Sequence, residues 1–80
     1  MKKYKLIAEV LFKSGIEITY HSLIEEEISE KEIINYIGTL KQSVEESYRD
    51  NNKKASLKID DTYINIQDTS AITFSYEEIE

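Results

Sequence analysis

Ile33, Ile37, Leu40, Val44 and Tyr48 recur at spacings of four, three, four and four residues, the pattern of one apolar stripe along a long helix. Ser29-Glu30-Lys31-Glu32 stands just before it and fits a capping box, in which the serine hydroxyl and the Glu32 carboxylate each take up an orphan backbone N–H. A helix is therefore expected to begin at Glu30 and to run unbroken to Asp50-Asn51-Asn52. Everything else in the chain has to be arranged around that rod. With 80 residues there is room for one domain, 1–80, and a chain this short buries only about 60 to 65 % of its unfolded surface.

On the N-terminal side, Leu6, Ile7, Val10 and Leu11 form an i, i+1, i+4, i+5 set, with Lys3, Lys5, Glu9 and Lys13 mostly outside it. This predicts a first helix over residues 2–14, ended by Ser14-Gly15. Ile16-Glu17-Ile18 reads as a very short strand, and Thr19 as the cap of a second helix, Tyr20 to Glu27, with Leu23 and Ile24 facing inward. After the long helix, Ser56–Ile59 and Tyr63–Gln67 alternate apolar and polar residues around Asp60-Asp61-Thr62, which predicts a hairpin with Leu57, Ile59, Ile64 and Ile66 on one face. Tyr48 and Tyr63 are expected to seal the long helix against that hairpin. Ala71 to Tyr76 is a last β-prone stretch. Helix, short strand, helix, helix, hairpin is the order of a winged helix, an α+β domain of the helix-turn-helix type. Its core would span about 3–67, with a β-prone C-terminal tail over 68–80.

The net charge of −6 is unevenly spread: residues 2–13 carry +3, 14–29 carry −4, 30–49 carry −1, 50–67 balance, and 68–80 carry −4. Duplex DNA is bound largely through phosphate contacts, and this chain is acidic where a reader of DNA is basic. Under a DNA-binding alternative the contacts would come from Lys31 and Asn35 near the start of the long helix and from Lys53, Lys54 and Lys58 around the hairpin. Asp60-Asp61 would then stand at the wing tip, where lysine or arginine is wanted. Direct DNA binding is accordingly expected to be weak or absent.

Catalytic chemistry has few candidates. His21 is the single histidine, and Glu25-Glu26-Glu27 on a helix would point about 100° apart, so the three carboxylates could not converge on one ion. Neither a glycine-rich phosphate loop nor a nucleophile signature is present. The expectation is a protein that is not an enzyme, with no metal and no cofactor. The apolar runs fall far short of the roughly 20 residues of a membrane span, and the N-terminal lysines are not followed by a long uninterrupted apolar region. With no cysteine, a reducing cytoplasm is the expected compartment.

"IAEVLFKSGIEIT", then "ISEKEIINYIGTLKQSVEESY" and "LKIDDTYINI", resembles the first winged-helix domain of the segregation and condensation protein B family, over about Ile7 to Gln67. The features that carry the resemblance are Leu11-Phe12-Lys13-Ser14-Gly15, the pair Ile18-Thr19, Tyr48 at the end of the long helix and Tyr63 in the second hairpin strand. The family's usual proline before the apolar–Ser/Thr pair is replaced by Glu17. The resemblance implies a kleisin-associated accessory subunit of a prokaryotic SMC condensin complex, acting in chromosome condensation, segregation and cell division. It also implies a nucleoid-associated location, self-association through this domain, and the kleisin, segregation and condensation protein A, as partner, with SMC reached through it. A homodimer is also expected from the residues themselves. Ile72, Phe74 and Tyr76, left without an internal place in a winged helix, would form an exposed apolar patch, with Phe12 as a further contributor. Two other readings are a small winged-helix transcription regulator, which the fold permits, and a phage or plasmid inhibitor of a host protein, which the acidic charge permits.

Overall fold

A computed structural model describes residues 2–50 and 56–79, and it is built mainly from strands. Strand β1 (Lys2–Phe12) turns into β2 (Glu17–Ile28), and helix α1 (Glu30–Arg49) follows. A short hairpin of β3 (Ser56–Ile59) and β4 (Thr62–Asn65) leads through a 3₁₀ turn (Ile66–Asp68) into β5 (Thr69–Glu78). The winged helix is thereby overturned: residues expected in the first and second helices form two long strands, and the expected tail is an integral third strand. The sheet order is β2-β1-β5, antiparallel throughout, with β3 and β4 paired separately.

The reason for the first correction lies in the alternation of β1. Tyr4, Leu6, Ala8 and Val10 are all buried, two residues apart, which is strand periodicity. Leu11, expected in the core, is 39 % exposed because it falls on the opposite face. Ser14-Gly15 does not end a helix. It makes a tight reversal in which Gly15 takes φ 93°, Gly15 N–H donates to the Phe12 carbonyl (2.9 Å) and Phe12 N–H donates to the Ile16 carbonyl (2.8 Å). Glycine is needed there because an L side chain disfavours that backbone region. On β2, Thr19 and Tyr20 pair with Glu9 and Ala8 of β1, so Thr19 caps nothing. Leu23 is 54 % exposed, while Tyr20 and Ile24 pack at the margin of the core.

Helix α1 forms as its periodicity predicts. Ser29 Oγ accepts from Glu32 N–H (3.2 Å), the serine half of the capping box, while the Glu32 carboxylate accepts from the Ser29 hydroxyl (3.2 Å), and Ile33, Ile37, Val44 and Ser47 are buried along one stripe. The hairpin is also present, with Leu57, Ile59, Ile64 and Ile66 all buried. Tyr63 is 70 % exposed and seals nothing, since it alternates with the inward Ile64. Tyr48 does reach across from α1, its hydroxyl 2.6 Å from Thr69 Oγ1. Because Thr69 Oγ1 donates to the Ile66 carbonyl (2.7 Å), the tyrosine is the donor in that pair. Gln67 Nε2 donates to the Ser47 carbonyl (2.8 Å) beside it, so the last turn of α1 is tied to the turn that launches β5.

Opposed residues in an antiparallel sheet share a face. Leu6 faces Tyr76, Ala8 faces Phe74 and Val10 faces Ile72, and this is the face that packs into the core. Its reverse carries Glu9, Leu11, Thr19, Thr73 and Ser75, all exposed.

Candidate functional site

Among the described residues strand β5 has one strand neighbour, β1, and the other edge of its backbone pairs with none of them. Thr69 to Tyr76 reads Thr-Ser-Ala-Ile-Thr-Phe-Ser-Tyr, eight residues without a charge, a glycine or a proline. Natural edge strands are normally guarded by lysine, proline or a bulge, because bare N–H and C=O groups invite another strand. Strand β2, the other edge, ends in Glu25-Glu26-Glu27 and has β3 beside it. Strand β5 has one irregularity, at Ser70, where Leu11 pairs with Ala71 but Phe12 with Thr69; from Ala71 to Tyr76 its edge is regular and unguarded.

Above that edge runs α1. Ile34, Ile37, Gly38 and Lys41 on the helix and Phe74 and Tyr76 on the strand line a groove of about 450 Å³. A second hollow of about 350 Å³, lined by Lys41, Val44, Tyr48 and Ile72 among others, continues it toward the start of β5. Lys41 borders both and has no ion-pair partner among the described residues. Ile34 is 49 % exposed on the rim. Gly38 is the unexpected member: it lies inside the helix without positive φ, and a Cβ built on it meets nothing within 4 Å.

The far end of β5 is pinned by charge. Lys2 Nζ lies 2.6 Å from Glu78 and Lys5 Nζ 3.3 Å from Glu77. The Glu78 hydrogen bond, followed by the Glu78 charge, raises the Lys2 ammonium above its usual value. The Tyr76 phenol is raised too, first by burial and then by the charge of Glu30. The Tyr76 ring meets Tyr4 edge to face, with centroids 5.7 Å apart.

The residues expected to form a protein interface take different places. Phe74 is 5 % exposed, and Ile72, Tyr76 and Phe12 are half-buried and pack against the core. Their side chains therefore do not make the exposed patch expected of them, because β5 has an internal place beside β1. Of the residues considered for DNA contact, Lys31 and Asn35 are exposed on the first turns of α1, and Lys58 lies 5.6 Å over the Tyr63 ring on the hairpin. Lys53 and Lys54 lie outside the described residues. His21 is exposed on β2 opposite Ile7, and Glu25-Glu26-Glu27 alternate along a strand instead of fanning around a helix. Among the described residues no group of three metal-ligating side chains converges, and no helix is long and apolar enough to cross a membrane. The groove residues Ile34, Gly38 and Lys41 escaped sequence reasoning, although a glycine inside a strongly periodic helix was a readable signal.

Comparison with protein-family models, with curated proteins and with solved structures finds no match to this chain.

Proposed function

We propose that this chain is a protein-interaction module, without a reaction of its own, that accepts a strand of another polypeptide along the free edge of β5 beneath α1. The observation that supports this reading is the coincidence of an eight-residue uncharged edge with an apolar groove along its length. In strand addition the main-chain hydrogen bonds supply affinity, while alternate side chains of the incoming segment fill pockets and supply selectivity. Here the edge offers the first and the groove between Ile34, Gly38, Phe74 and Tyr76 offers the second.

The accessory role in an SMC complex drew its support from the order of winged-helix elements, which this chain lacks. What we carry forward from it is adaptor function through protein contacts, without the kleisin as the named partner. The test is a selection of random displayed peptides on the immobilised protein, followed by titration of the binders into isotope-labelled chain. Amide shifts should concentrate at 70–76 of β5 and 34–41 of α1. Binders that shift β2 or the β3–β4 hairpin instead, or a selection that yields none, would refute the reading.

A further inference from the structure

We propose that the strand added to β5 is β5 of a second copy, giving a symmetric dimer with one continuous six-stranded antiparallel sheet. This rests on the reading of the β5 edge as an acceptor and names its occupant.

Self-pairing of the regular part of this strand sets no like charges against each other. A two-fold axis at Thr73 sets Ile72 opposite Phe74 and Ala71 opposite Ser75, all neutral, and the one acidic pair this register approaches, Asp68 with Glu78, lies beyond the irregularity at Ser70 and has Lys2 on Glu78. The acidic groups Glu25, Glu26, Glu27, Glu30 and Glu32 gather where β2 passes into α1, at the end of the sheet near Lys2 and Glu78. Antiparallel pairing sends the two acidic ends to opposite extremes of the joined sheet, well beyond the screening length of about 8 Å at physiological salt. Glu77 and Glu78 are already matched by Lys5 and Lys2.

The helix wall gives a second, independent argument. An axis perpendicular to the sheet keeps both α1 helices on the same face, antiparallel, one on each side of the β5–β5 seam. Packed helices sit about 8 to 10 Å apart, closest where side chains are small. Gly38 costs the helix stability relative to alanine, and among the described residues nothing lies within 4 Å of where its Cβ would be. A helix of a second copy seated there accounts for it. The same arrangement covers the exposed Ile34 and places Lys41, which has no ion-pair partner among the described residues, at the seam.

The flank is long. Ten residues of β5 run about 33 Å at roughly 3.3 Å each, nearly the whole 39 Å length of the molecule. A stable interface takes about 800 Å² from each partner, a modest share of the 5551 Å² surface of this chain.

Sedimentation of the wild type, Thr73→Lys and Gly38→Gln at micromolar concentrations tests the proposal. Thr73 is exposed on the open face, and Gly38 on the helix wall, so circular dichroism should show both variants folded. The wild type is expected to be a dimer. Thr73→Lys, which sets two lysines against each other at the axis, and Gly38→Gln, which fills the helix contact, should each raise the dissociation constant at least tenfold. A wild type that stays monomeric overturns the second copy as occupant. If peptide binding still maps to β5 in that case, the acceptor edge stands and only the occupant is wrong. A dimer indifferent to both substitutions overturns the proposal by placing the contact elsewhere.

Discussion

Replacing Gly38 by alanine should stabilise this protein. In a helix interior glycine is worth about 0.8 to 1 kcal/mol less than alanine, because it loses more backbone freedom on folding. Two things can cancel that gain, a positive φ or a crowded Cβ position, and Gly38 has neither: its φ is not in the left-handed region and a built Cβ finds only open space. The full increment of about 1 kcal/mol is therefore available. For a domain of 60–100 residues it corresponds to a rise of about 4 to 8 °C in melting temperature. Gly15 provides the control. Its Cβ position is equally open, but its φ is 93°, so Gly15→Ala should destabilise instead. Thermal melts followed by circular dichroism would be run at a concentration low enough to keep the chains monomeric, since association adds its own stabilisation. If Gly38→Ala leaves the melting temperature unchanged or lowers it, something inside the fold requires glycine. An outside surface would then not be what requires it.

Other outcomes follow from the strand assignment and the polar contacts. Leu6→Ala should cost about 2 to 5 kcal/mol in urea denaturation, as large-to-small changes in cores do, and Leu11→Ala, on the open face, should cost much less; equal costs would contradict the alternation of β1. Tyr48→Phe removes the donor to Thr69 Oγ1, and denaturation should show a loss of about 1 kcal/mol. Alkaline pH should destabilise the fold. Lys2 and Tyr76 both hold their protons more tightly when folded, so their contribution is full below their usual values near 10.5 and 10.0 and is lost as pH rises through the raised folded values. Lys2→Met should flatten part of that decline in a melting series from pH 8 to 12, and an identical profile would show that the Glu78 pair contributes nothing.

The helix was legible because its signals agree: periodicity, capping box and stop all mark the same boundaries, and α1 follows them. The hairpin was legible for the same reason. The first two strands were not, because β1 carries Ile7 and Leu11 on its open face as well as Leu6 and Val10 on its core face. Those four residues satisfy a helical stripe and a strand equally. Tyr4 and Ala8 break the tie, since with them the buried set is Tyr4, Leu6, Ala8 and Val10 without a gap. In β2 the run Glu25-Glu26-Glu27 suggests a helix by propensity, while pairing with β1 decides the matter. The interaction edge was out of reach of local reading for a different reason. Whether Thr69–Tyr76 is a tail, a central strand or an edge depends on which strand lies beside it, and that partner is 57 to 70 residues away in the chain. Sequence alternation showed the strand but not its neighbour.

The central place of β1 sets a timetable for making this protein. Of the three strands of its sheet the one made first is the one on which both others depend, and its pairing with β2 is local, across a tight reversal. Its other edge is completed only by β5, where Tyr4 meets Glu78. At a synthesis rate of about 5 to 20 residues per second, that edge stays open on the order of 4 to 15 s. Hairpins form in about 1 to 10 μs, so once β2 is made, about a third of the way through that interval, a nascent β1–β2 ribbon keeps that edge open for the remaining two thirds. The chain is thus most exposed to wrong partners while it is being made, and chaperones that hold extended apolar segments would act on it before residue 78 emerges.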